Sequence, residues 1–228
     1  MRSQTHLKML FSSIVSIFAF GLTARAGSTA TEIPFDQLPK FFDASVPRDE
    51  QIAIALSAGP EELRDKATVY VLGPKGFEKA HEGTNGVSCL VTRHFVTPAE
   101  TSIEPMCYDP EGTRTLLLAD LYAEELRSKG TSDAEIKTEI ANGYKTGRFK
   151  APSKSGIRYM LSSDNRLGPT PDHKTVHVPP HLMFYAPYMT GKDLGFESDA
   201  AAAFLVQPQK PDTTIIVFPD PNLRKQKQ

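Results

Sequence analysis

The first 26 residues set the conditions under which the rest of the chain must fold, because they read as a leader that the mature protein does not keep. Arg2 and Lys8 form a positive start, Met9 to Leu22 (MLFSSIVSIFAFGL) is an apolar run without charge, and Ala24-Arg25-Ala26 offers the small residues that a signal peptidase accepts. A helix of that run would rise only about 21 Å, short of the roughly 30 Å hydrocarbon core, so a spanning anchor fits poorly. Cleavage after Ala26 is expected. No cysteine stands near that site to carry a lipid, and no later segment is long and apolar enough to span. The expected body, Gly27 to Gln228, is exported to the periplasm or beyond the cell and has no stable membrane anchor.

Export changes how the two cysteines read. Cys89 and Cys107 lie 18 positions apart and form no CxxC pair. In an oxidising compartment the simple expectation is one structural disulfide. On the chain-entropy view, closing such a loop stabilises the fold by about 3 kcal/mol. A nucleophilic Cys89 is the sharper alternative, but a free thiolate there is prone to oxidation.

Charge and composition exclude further classes. Lys and Arg number 26 against 27 Asp and Glu, so the basic excess of a dedicated nucleic-acid binder is missing. With 39% hydrophobic and 23% charged residues, the chain has the balance of a folded globular protein.

Along the chain, 27–47 carries Pro34, Pro39 and Pro47 with Phe35, Phe41 and Phe42, and reads as an extended arm whose end docks on the body. Arg48 to Ser57 suits a short helix ended by Gly59-Pro60, with a second helical piece over Glu61 to Lys66. Thr68 to Leu72, Phe77 to Ala80 and Val87 to Arg93, separated by the turn signals GPKG and GTNG, read as a β-meander. In the last of these strands, alternation places Val87, Cys89 and Val91 on one face.

Thr113 to Lys129 carries Leu117, Leu118, Leu121, Tyr122 and Leu126 at helical spacing, with Gly130 to end it. Ser132-Asp133-Ala134-Glu135 is a capping box opening a second helix, so the two form a hairpin. Strands are expected at Ile157 to Ser162, Leu182 to Ala186 and Thr213 to Phe218, and the run Ala200 to Ala203 suggests a short helix before the last. A long Pro-rich connection covers 167–180, and 221–228 is a polar tail. Helices and strands do not alternate regularly. The expectation is a single α+β domain over 48–220, a mainly antiparallel sheet packed with a helical hairpin.

Candidate sites are sparse. His173, His177 and His181 recur every four residues, as metal ligands on a helix do. Pro179-Pro180 forbids that helix, and in an extended chain four residues span roughly 13 Å, too far for one zinc. A shared divalent transition metal would require the loop to fold back and recruit His81, His94, Glu82 or Glu104. Exposed or loop-packing histidines without a cofactor are the simpler expectation. Ser88 lies in GVSCL, which lacks the second glycine of a nucleophile elbow, and Ser162-Ser163-Asp164 fits a hydrolase triad no better. The stretch Glu104 to Gly112 has no calcium-loop order; Asp109 or Glu111 suits the start of the next helix instead. In HLMFYAPYM, Met183 and Tyr185 share one face and Leu182 and Phe184 the other, consistent with a strand covered on both sides. As a binding surface, His177, His181, Tyr185 and Tyr188 would offer apolar walls with polar tips.

The phrases EGTNGVSCLV, EPMCYDPEGTRTLL, GIRYMLS and PHLMFYAPY resemble a group of exported bacterial proteins without an assigned activity, over roughly Ala67 to Val217. The resemblance implies an exported single domain and brings no catalytic residue. The chain therefore reads as a non-catalytic binding or accessory protein of the cell envelope, acting on a small molecule or an envelope protein. An exported, metal-assisted hydrolase using the loop histidines is the alternative.

Overall fold

The computed structural model describes residues 42–93, 102–163, 165–167, 176–195 and 203–218. The leader, most of the arm and the C-terminal tail lie outside them. Phe42 and Val46, the end of the arm, are buried in the body. Helix α1 (Arg48–Ser57) starts after Pro47, with Asp49 and Glu50 in its first turn beside the positive end of the helix dipole. Helix α2 (Glu61–Arg64) follows Pro60 and ends two residues before the expected Lys66.

Strands β1 (Thr68–Gly73), β2 (Gly76–His81), β3 (Ser88–Thr92) and β4 (Glu104–Tyr108) come next. They do not form the expected meander. β2 folds back on β1 as an edge hairpin, while β3 passes to the other side of β1 and pairs with it in parallel, Thr68 with Ser88 and Val69 with Cys89. The turn signals mark the chain reversals correctly but carry no information on which neighbour a strand selects. The whole sheet runs β2-β1-β3-β4-β5-β8-β10-β9, where β5 is Ile157–Met160, β8 His181–Tyr185, β9 Ala203–Val206 and β10 Thr214–Val217. Every other pairing in it is antiparallel. A separate ribbon pairs β6 (Arg166–Leu167) with β7 (Val176–His177), inside the Pro-rich connection. Ala203 opens a strand rather than ending a helix, because β10 offers it an antiparallel edge; 200–202 lie outside the described residues.

The expected Thr113–Lys129 helix is two. Asp109 caps α3 (Pro110–Arg114) by accepting from the Gly112 N–H at 2.8 Å, and Thr115, at φ −124° and ψ −80°, breaks the path before α4 (Leu116–Ser128). Helix α5 (Asp133–Thr146) begins at the Ser132–Glu135 capping box and packs on α4.

The sheet separates two cores. On one face α1 covers Val69, Val87, Cys89, Val91 and Cys107. On the other, Leu90, Met106, Tyr108, Met160, Met183 and Ile216 pack with Leu116 and Leu117 of α4. Gln51 ties α1 to β1: its Nε2 donates to the carbonyls of Val46 (3.0 Å) and Leu72 (3.2 Å), and its Oε1 accepts from the Leu72 N–H at 2.6 Å. Such a buried amide stabilises only because both ends are satisfied.

Cys89 and Cys107 stand directly opposite each other on β3 and β4 and are disulfide-bonded, S–S 2.01 Å with Cα atoms 4.1 Å apart. The bridge is sealed under α1, with the two cysteines 1% and 0% exposed. Gly59 permits this closeness, since a Cβ there would lie 3.1 Å from the Cys107 sulfur. In β8, His181, Met183 and Tyr185 are buried whereas Leu182 and Phe184 are half-buried, so the strand is closed on one face rather than both.

Candidate functional site

Arg158, on β5, stands in the middle of the face that carries α4 and α5. Its cross-strand partners in register are Tyr108 of β4 and Met183 of β8. A strand interior facing a helical layer ordinarily takes an apolar side chain, so a guanidinium there requires an explanation. Its Cζ lies 4.8 Å from the centre of the Tyr108 ring, within cation–π range. Its Nε is sealed from solvent without a hydrogen-bond partner, and no carboxylate among the described residues pairs with it.

Polar groups gather around this cation from four elements. The Tyr108 hydroxyl donates to Asp120 of α4. Tyr185, at the end of β8, donates to the Ile157 carbonyl at 3.0 Å. A Cβ at Gly112 or Gly156 would collide with the Tyr185 side chain, so these two glycines leave the slot in which its ring lies. Tyr144 of α5 feels the charges of Asp212, Asp120 and Arg158 and the hydroxyl of Tyr188. Burial pushes Tyr108, Tyr144 and Tyr185 above the ordinary phenol range. Burial likewise raises Asp120 and Asp212 above the usual carboxylate value, with Arg158 opposing it in both. For Arg158, burial alone would lower the value; Tyr108, Asp120, Tyr185 and Asp212 outweigh it and hold the guanidinium charged.

Strained backbone gathers in two loops, after β8 and between β9 and β10. Tyr188, Gln207 and Gln209 are the non-glycine residues with positive φ among the described residues, at 64°, 53° and 64°. Each costs about 1–2 kcal/mol relative to ordinary backbone. Tyr188 follows β8, and the two glutamines lie in the turn between β9 and β10. The two loops are latched together: the Tyr188 N–H donates to the Lys210 carbonyl at 2.8 Å and the Gln209 N–H to the Met189 carbonyl at 3.0 Å. Buried Thr213 secures the turn through its Oγ1, which donates to the Gln207 carbonyl at 2.6 Å. The latch leaves the Tyr188 ring 60% exposed. The strained residues thus fall in the two latched loops, one opening with Tyr188 and the other carrying Asp212.

No protein-family model matches the chain, and neither a curated protein nor a solved structure is significantly similar to it.

The residues singled out in the sequence divide. Tyr185 belongs to the cluster around Arg158, and Tyr188 opens the latched loop that follows β8. His181 is at the opposite end of β8, 2% exposed, with its Nδ1 2.8 Å from the Pro179 carbonyl and its ring 5.4 Å from that of Phe218. His177 contacts the Ser163 carbonyl through Nε2. Glu82 follows β2, at the far margin of the sheet and paired with Lys79, five strand steps from His181. At roughly 4.8 Å per step that is about 24 Å, which the sheet does not bring together. His173 lies outside the described residues. Among the described residues, no three His, Cys, Asp or Glu side chains are placed to hold one metal ion. A shallow groove of about 390 Å³ lies between β2 and α4, lined by Phe77, Leu118, Leu121, Tyr122 and Phe149; Arg148 already stacks on Tyr122 within it, 3.6 Å from the ring centre.

Sequence reasoning missed Arg158, Asp120, Asp212 and Tyr144. The available signal was Arg158 itself, a charge between apolar neighbours in GIRYMLS, a run otherwise suited to a buried strand.

His181 carries a pH prediction. Burial is the main cause that lowers its value below the ordinary 6.5, so the folded protein keeps it neutral where an unfolded chain would be protonated. The unfolded state then binds the extra proton, and stability falls as pH drops below 6.5. The raised carboxylates act with the opposite sign, which makes a variant comparison necessary. Urea midpoints of the wild type are expected to fall more steeply on acidification through this range than those of His181→Gln. Parallel pH profiles would place the titrating group elsewhere.

Proposed function

We propose that the chain is an exported, disulfide-stapled domain that binds a small molecule at the Arg158 cluster without turning it over. The observation that supports it best is Arg158: a guanidinium on a strand position facing the helical layer, with its Nε lacking a hydrogen-bond partner and no ion pair among the described residues. A structural arginine would be expected to be neutralised by a paired carboxylate. The leader-like first 26 residues, the resemblance to exported bacterial proteins and the buried disulfide support export. Among the described residues no helix is long and apolar enough to cross a membrane.

The test is a two-dimensional NMR titration of the oxidised protein with a panel of amino acids, short oligosaccharides and inorganic phosphate. Expected shifts fall on the amides of Tyr188, Lys210, Asp212 and Thr213. Tyr188→Ala, an exposed change with a stability cost of about 0.5 kcal/mol or less, is expected to abolish or weaken them at least tenfold. Turnover across a hydrolase panel, with metal copurifying in stoichiometric amount and activity lost in His177→Ala/His181→Ala, would overturn this reading in favour of a metal-assisted hydrolase.

A further inference from the structure

We infer that the groove between β2 and α4 is the docking site for the N-terminal arm of the same chain, residues 27–41, with Phe35 and Leu38 as the side chains that enter it. The groove has a floor of Phe77, Leu121, Tyr122 and Phe149, Leu118 at its lip, and a volume of about 390 Å³. Leu118 is 45% exposed, one of two large apolar side chains so placed among the described residues. An open apolar surface of this kind calls for a cover.

Three observations select the arm. The first is where the chain enters the described structure. Phe42 is buried on the α1 face, and four residues on, the Val46 carbonyl shares the Gln51 amide with the carbonyl of Leu72. Leu72 stands directly opposite Phe77 on β2, so the end of the arm is anchored one strand away from the groove floor. β2 is the margin of the sheet, and no strand of the described residues lies beyond it to bar the way round to the helical face. That route, one strand spacing plus the thickness of the sheet with its side chains, is about 20 Å, and the seven extended residues from Phe42 back to Phe35 cover about 23 Å.

The second is composition. Ile33, Phe35, Leu38 and Phe41 give the arm apolar groups to bury, and Pro34 and Pro39 bracket the segment that carries Phe35 and Leu38. Proline fixes φ, so a segment held this way loses less freedom on docking. The third is charge. Glu125, the acid lining the groove, is engaged by Lys129 at 2.5 Å, while Lys75 and Arg148 line it as cations. Glu32 and Asp36 of the arm bring the opposite sign.

The test is photo-crosslinking in the full, oxidised chain with p-benzoylphenylalanine in place of Phe35, followed by peptide mapping. Irradiation is expected to join position 35 to Phe77, Leu118, Leu121 or Tyr122 at monomer mass. Leu118→Lys puts a charge on the exposed lip without opening the core, and is expected to lower that yield about tenfold, as the loss of one apolar contact surface would. Asp36→Lys lies in the arm, leaves the body untouched, and is expected to lower it about threefold, the scale of an exposed ion pair. Adducts on the same groove residues at dimer mass would overturn the inference in favour of the arm of a second copy, and an adduct with a different protein in favour of an external partner. Crosslinks mapped elsewhere on the body, no crosslink, or a yield unchanged by Leu118→Lys would overturn it outright.

Discussion

Glu124→Ala is expected to lower stability by about 3 kcal/mol, the lower end of the range for removing one partner of a buried ion pair, because Arg127 keeps Asp133. Glu124 is 2% exposed in the middle of α4 and holds two arginines at once. Arg93, just past β3, reaches it through Nη2, and Arg127, one helical turn on, through Nη1 at 2.7 Å. Arg127 in turn bonds Asp133 at the start of α5 at 3.1 Å through Nη2. One carboxylate thus links the sheet, α4 and the first turn of α5. Removing it takes that carboxylate from two largely buried arginines, so the cost exceeds that of a surface pair, which is commonly under about 1 kcal/mol. The measurement is the urea midpoint and slope of the variant beside the wild type. A loss under about 1 kcal/mol would show that water or a neighbour replaces the carboxylate readily.

The second large effect concerns the bridge. Cys89→Ala/Cys107→Ala is expected to cost about 3 kcal/mol through the freed unfolded chain. In the folded wild type, the sulfurs are sealed beneath α1, where Cys107 Sγ lies 3.6 Å from the Ala55 carbonyl. A thiolate reductant must reach sulfur along the bond, so the native protein is expected to stay oxidised in mild dithiothreitol and to open only when denaturant is added. Trapping free thiols with a mass-labelled alkylating reagent measures this directly. Labelling in mild reductant with the fold retained would convert the staple into a redox site.

These two interactions also show how differently the sequence displays its determinants. The disulfide was legible from the leader-like start and the cysteine count, because only one pairing exists. The Glu124 network was not: Arg93 and Glu124 are 31 residues apart and nothing local joins them. The same division applies to the cluster around Arg158. Tyr185 and Tyr188 stand in an aromatic run that attracts attention, whereas Asp120, Tyr144, Arg158 and Asp212 come from α4, α5, β5 and a turn. Each is unremarkable among its sequence neighbours, apart from the lone charge of Arg158.

What the sequence determined by itself is what acts over a few residues. The Ser132 capping box, the α1 start at Arg48, the strand alternation that puts Cys89 with two valines, and the proline veto on a histidine helix all follow from local sterics and hydrogen bonding. Local reasoning failed where two local solutions were close in energy. Thr115 breaks a helix whose apolar spacing runs on, because α3 turns on its Asp109 cap while Leu116 and Leu117 must enter the core. Ala203 extends because β10 has an open edge to fill. Tertiary structure alone decided that β3 crosses β1 to pair in parallel, since turn residues specify a reversal but not the strand on the other side. It also decided that Arg158 faces the tyrosines, because a one-residue shift in register would have turned that charge to the opposite face.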